Sequence, residues 1–137
     1  MTRLICLGDS FTEGMSDELR PDGRHRGWSD RLATGLAADR SGVAHYPVTY
    51  ANLAIRGKLL DQVVAEQFGP ALTLGPDIVT FHAGANDVLR PGTDLPALYA
   101  RYDVAVAELT STGARVVLFT SLARAGGSGR FADRLER

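Results

Sequence analysis

The sequence predicts an α/β domain built on a parallel sheet that helices cover on both faces. Three observations carry this. Short apolar runs at Leu4–Leu7 and Ile78–Ala83 stop at glycine-containing polar loops, stretches of helical periodicity separate successive runs, and the runs are continuously apolar, as in strands buried on both faces. Right-handed crossovers then bring every strand-to-helix loop to one edge of the sheet, the edge at which ligands of open α/β sheets bind.

The first strand, Leu4-Ile5-Cys6-Leu7, ends at Gly8 and delivers Asp9 and Ser10 onto its carboxyl-end loop. Ser10 is therefore the candidate for the reacting atom. The polar segment from Ser16 to Gly27, with Pro21, Asp22 and Gly23, reads as a surface excursion placed to line the mouth of a site. From Trp28 to Asp39 the residues Trp28, Leu32, Leu36 and Ala37 recur at helical spacing. Val43 to Ile55, carrying Val48, Thr49 and Tyr50, reads as the second strand and its loop, closed by Gly57.

A second helix is expected from Leu59 to Gln67, over by Gly69-Pro70, with a short further turn from Ala71 to Leu74. Ile78 to Ala83 is the third strand and runs into a second polar loop, Gly84-Ala85-Asn86-Asp87. Leu95 to Thr112 repeats apolar residues at helical steps, and Gly113 is placed to stop that helix. Arg115 to Ser121 is the fourth strand. Ala125 to Gly129 reads as a flexible tail and Phe131 to Arg137 as the opening of another helix, with no fifth strand in between. This order makes Ser10, Gly57 and Asn86 converge, although they are far apart in the chain.

The 137 residues fit a single domain, 1–137, and 15 basic against 16 acidic residues give a net charge of -1. That balance offers nucleic acid or an anionic membrane no electrostatic footprint, so a neutral small molecule is the expected partner. The single cysteine, Cys6, excludes a disulfide scaffold. The N-terminus has no long apolar stretch of signal type, which predicts a cytoplasmic protein, and no segment approaches membrane-spanning length. His25, His45 and His82 show no ligand spacing, so no metal centre is expected. The first loop lacks a P-loop or dinucleotide glycine pattern, and no cofactor is called for.

Each singled-out residue also has a plainer reading. Asp9 and Ser10 suit a helix start, Gly57 a helix-entry turn, and Asn86-Asp87 an ordinary turn after a strand. His82 suits a pocket wall, and Trp28 a core anchor.

Taken together, Gly8-Asp9-Ser10-Phe11-Thr12-Glu13-Gly14, Asn52-Leu53-Ala54-Ile55-Arg56-Gly57 and Gly84-Ala85-Asn86-Asp87 resemble the first three sequence blocks of the SGNH (GDSL-type) hydrolases. The resemblance implies a flavodoxin-like three-layer α/β/α sandwich and acyl-enzyme hydrolysis of a small ester or thioester. It implies Ser10 as nucleophile, with oxyanion donors from the Ser10 N–H, the Gly57 N–H and the Asn86 side-chain amide. Asp9, Asp87 and His82 would support the loops or the pocket. The family's C-terminal Asp-x-x-His block has no counterpart in the sequence. A sandwich missing its last strand and C-terminal helix, a serine without its base and weak activity at best are thus expected. The alternative is a non-catalytic binding or scaffold domain that keeps the pocket for an acyl or carbohydrate ligand. Without a fifth strand, the fourth becomes an exposed edge, a possible route to self-association.

Overall fold

The computed structural model describes residues 1–38 and 47–120. His45, the tail at 125–129 and the helix expected from Phe131 lie outside the described residues. The expected sheet is present. Strands β1 (Thr2–Gly8), β4 (Val48–Asn52), β5 (Ile78–His82) and β6 (Arg115–Leu118) form a parallel sheet in the order β4-β1-β5-β6. β1 is thus an inner strand, with Leu4 opposite both Tyr50 of β4 and Ile78 of β5. β6 ends the described sheet and leaves Val117 and Leu118 exposed.

Alternation along β1 builds the three layers. Leu4 and Cys6 pack toward helix α2 (Trp28–Ala37), against Ala33, Trp28 and Leu32. Ile5 and Leu7 point the other way, into the larger core formed with α3 (Leu60–Thr73) and α5 (Leu95–Thr110). Leu60, Val63, Phe68, Leu98 and Leu109 fill that core. Phe81 lies at its centre, with the Phe68 ring at 5.6 Å and the Tyr102 ring stacked at 5.4 Å. α5 begins where Asp94 accepts the Ala97 N–H at 3.1 Å, with a proline in its first turn.

Four features differ from the sequence reading. α3 does not stop at Gly69-Pro70 but continues to Thr73 with Pro70 inside it. The proline removes one N–H donor, but Phe68 and Ala71 on either side of it are buried in the core, and the Leu74 N–H still reaches the Pro70 carbonyl at 3.2 Å. The two loops expected to carry the site are short helices, α1 (Ser10–Glu13) and α4 (Ala85–Leu89). The polar excursion contains a small antiparallel pair, β2 (Glu18–Leu19) with β3 (His25–Arg26). Finally, among the described residues the second strand covers Val48–Asn52, with Leu53 to Ile55 outside it, and the fourth covers Arg115–Leu118 and stops short of Phe119.

Candidate active site

β1 ends in an unusual conformation, and the site follows from it. Gly8 has φ +150°, and a Cβ there would stand 2.3 Å from the His82 carbonyl oxygen. Only glycine fits. Gly8 is the last residue of β1 and still pairs with His82 on β5, while its N–H and carbonyl also bond the buried side chain of Gln67 on α3. The Gly8 N–H donates to Gln67 Oε1, and Gln67 Nε2 donates to the Gly8 carbonyl, both at 2.9 Å.

The chain then turns into α1, whose first residue is Ser10. Asp9 is the N-cap and accepts the Phe11 N–H at 3.2 Å, while Gly14 closes the helix in the left-handed region at φ +90°. The capping reading of Asp9 and the reactive reading of Ser10 therefore describe one turn. Asp9 is buried to 2 % exposure, and its Oδ1 lies 3.7 Å from His82 Nδ1. Asp9 Oδ2 and His82 Nδ1 have no hydrogen-bond partner. The His82 ring is held by Phe11 at 4.6 Å and Phe119 at 5.8 Å, and Trp28 Nε1 donates to the Phe11 carbonyl at 3.0 Å. His82 and Trp28 are thus part of an aromatic wall beneath α1.

A polar network anchors the other side of α1. Asn52, the last residue of β4, donates to the Thr12 carbonyl at 2.8 Å and accepts the Ala54 N–H. Ser29 donates to the same Thr12 carbonyl at 3.1 Å, and the Tyr50 hydroxyl joins Ser29 to Asp30. Burial lifts the Tyr50 phenol well above its ordinary range, and the neighbouring Asp30 carboxylate adds to the rise.

The loop after β4 carries Gly57 at φ +75°. Nothing lies within 4 Å of a Cβ built there, so the glycine serves a left-handed turn and relieves no crowding within the protein. Two contacts fix this loop. Glu13, the last residue of α1, accepts the Arg56 N–H at 2.8 Å and also pairs with the Arg56 guanidinium. From the opposite side, Asn86 Nδ2 donates to the Lys58 carbonyl at 3.0 Å.

Asp87 does not hold its own turn, as a local capping role would require. Its Oδ2 reaches across to the Leu60 N–H at 2.8 Å and satisfies a donor in the first turn of α3. The structure therefore links the three loops in series: Ser10 lies on α1, α1 grips Arg56 beside Gly57, and Asn86 grips Lys58 just beyond. The Asn86 amide has a second hydrogen to offer.

Among the described residues, Ser10 has no histidine partner. The His25 Nδ1 lies 3.1 Å from the Asp17 carbonyl and borders a polar cleft of about 570 Å³ beyond the Glu13–Arg56 pair. No described group of His, Cys, Asp and Glu is arranged to hold a metal, and no described helix is long and apolar enough to cross a membrane. Sequence reading missed Gln67, Glu13 and Arg56. Gln67 could have been found, because it continues the buried stripe Leu60, Val63, Ala71 at helical steps. Glu13 and Arg56 carry no such signal, since their pairing depends on how two distant loops meet.

The model of the GDSL-like Lipase/Acylhydrolase family matches residues 6–137. No curated protein matches the chain. Among solved structures, TesA is similar with a TM-score of 0.73 and 22 % identity, over 97 % of this chain and 68 % of that one. The acetyl xylan esterase AlAXEase gives 0.72 and 20 %, over 98 % and 67 %. The psychrotrophic esterase EstA from Pseudoalteromonas sp., in a structure inhibited by monoethylphosphonate, gives 0.68 and 19 %, over 98 % and 67 %. The chain thus spans about two thirds of the length of these proteins, and at such identities the likeness is one of fold.

Proposed function

The chain belongs to the GDSL-like lipase/acylhydrolase family, and on that premise we propose that its site hydrolyses a carboxylic ester or thioester through an acyl-enzyme on Ser10. The observation that carries the reading is the serial link of the three loops, in which Asn86 Nδ2 lies 3.0 Å from the Lys58 carbonyl, one residue from Gly57. Acyl transfer needs preorganised donors where negative charge develops on the carbonyl oxygen. The Ser10 N–H at the start of α1, the Gly57 N–H and the free hydrogen of the Asn86 amide are the three donors. Ser10 Oγ attacks the acyl carbon and forms the acyl bond as the alcohol or thiol leaves with the serine proton. Water then attacks the acyl-enzyme, releasing the carboxylic acid and returning a proton to Ser10 Oγ.

A serine hydroxyl attacks slowly until a base takes its proton. With no histidine on Ser10 among the described residues, the rate expected of this chain is the part contributed by the oxyanion hole and binding, roughly 10³- to 10⁴-fold over water where a triad has been dismantled. His82 serves in this reading as the neighbour of the buried Asp9 carboxylate and not as the base. The esterase names among the structural neighbours support an ester as substrate; a cytoplasmic location remains part of the proposal. The experiment is hydrolysis of a short-chain aryl ester by the intact chain and by Ser10→Ala. Slow turnover that disappears in the variant is expected, and turnover unchanged by the variant overturns the assignment.

A further inference from the structure

We infer that Glu13 is a positioning residue for the Gly57 oxyanion donor, a role that rests on the hydrolase reading above. The four-residue helix α1 has Ser10 at its first position and Glu13 at its last. Glu13 Oε2 accepts the Arg56 N–H at 2.8 Å, while Oε1 meets the Arg56 guanidinium through Nη2 at 3.1 Å and Nε at 3.3 Å. One carboxylate therefore holds Arg56 by its backbone and by its side chain.

The next peptide group runs from the Arg56 carbonyl to the Gly57 N–H, the group that must point at the oxyanion. Gly57 itself cannot set that direction. It sits at φ +75° with open space where a side chain would pack, so nothing local confines it. Direction must come from the neighbours, and Glu13 on one side and Asn86 on the Lys58 carbonyl on the other are the groups that supply it.

The side-chain pair alone would be a weak basis, because the Arg56 side chain is half exposed and such surface pairs hold little. The bond from the Arg56 N–H differs. It is charge-assisted and short, and it fixes backbone. Nucleophile and second donor are thereby carried on one rigid unit, so their separation is set before substrate arrives. Misplacing a reacting group by about 1 Å is enough to cost ~100-fold in rate.

The test compares Glu13→Ala and Glu13→Gln with the unmodified chain. Glutamine keeps an acceptor for the Arg56 N–H and alanine does not. Two quantities are read: hydrogen exchange at the Arg56 amide, the group Glu13 holds, with the Gly8 amide as internal reference, and the rate at which a fluorophosphonate modifies Ser10. In Glu13→Ala, exchange at Arg56 should quicken relative to Gly8, and modification should slow by ~10-fold or more, as expected for a displaced group. Glu13→Gln should recover most of both. A uniform rise in exchange at Gly8 and Arg56 alike would mean that Glu13 only stabilises the fold, and overturns the inference. So would Glu13→Ala modified at the unmodified chain's rate. If the unmodified chain shows no adduct on Ser10 while Arg56 exchange still responds to Glu13, it is the hydrolase reading that fails, and the oxyanion role falls with it.

Discussion

Gln67 closes both of its amide bonds on the backbone of Gly8, donating to the carbonyl and accepting from the N–H at 2.9 Å each. This pairing fixes the backbone of the last residue of β1, which pairs with His82 on β5 and directly precedes Asp9 and Ser10. In Gln67→Leu the Gly8 carbonyl keeps the Ile55 N–H at 3.2 Å, but its N–H loses its acceptor in a buried setting. The expected loss of stability is ~1–3 kcal/mol, the cost of one buried unsatisfied donor, read from chemical denaturation. A loss within error would mean that water replaces the amide.

Gly8→Ala should be worse. The new methyl would meet the His82 carbonyl oxygen, a backbone atom that cannot swing aside, at φ +150°. A loss of ~2 kcal/mol or more is expected from strain of this kind, with β1 and β5 pushed apart. Unchanged denaturation would show that the backbone makes room for a methyl at this position.

Much of this was readable in the chain, and the parts that were not share a cause. The strands and helices followed from apolar runs and periodicity, because burial on both faces of a parallel sheet imposes a strong pattern. Ser10, Gly57 and Asn86 could be placed at one edge because topology alone brings the loops together. What failed was local or long-range. The four-residue α1 and five-residue α4 are too short to show a period, and Pro70 reads as a stop because sequence does not show that Phe68 and Ala71 are both core residues. The Glu13–Arg56 and Asp87–Leu60 contacts join residues 43 and 27 positions apart, and no spacing rule reaches so far.

In the proposed reaction Asn86 is one of three oxyanion donors, so Asn86→Ala should lower turnover of an aryl ester ~100-fold or more, with a much smaller change in KM. Asn86→Asp should fare no better, because a carboxylate offers no donor and opposes the developing charge. Steady-state kinetics decide this. An aspartate variant as active as the parent would remove Asn86 from the oxyanion site.

Asp87→Ala leaves the Leu60 N–H without its acceptor. About 1 kcal/mol of stability should be lost, as for other missing helix caps, and Asp87→Asn should restore part of it. Thermal denaturation of the two variants tests the order.

Cys6 lies buried between β1 and α2, and burial pushes its thiol up to about 11, with the nearby Thr80 hydroxyl lowering it in part. A raised value means that the thiol stays protonated through neutral pH and that ionisation favours the unfolded chain once pH passes the ordinary thiol range. A disulfide reagent at pH 8 should therefore titrate no thiol in the folded protein and one after denaturation. Rapid reaction in the folded state would place Cys6 at the surface.

The proposed chemistry requires Ser10 to be a nucleophile held against preorganised donors. The most direct measurement is peptide mapping of the intact chain after treatment with a fluorophosphonate. An adduct on Ser10, formed slowly and slowed further in Asn86→Ala, is the predicted result. Absence of any Ser10 adduct, or modification elsewhere that Ser10→Ala leaves unchanged, would contradict it.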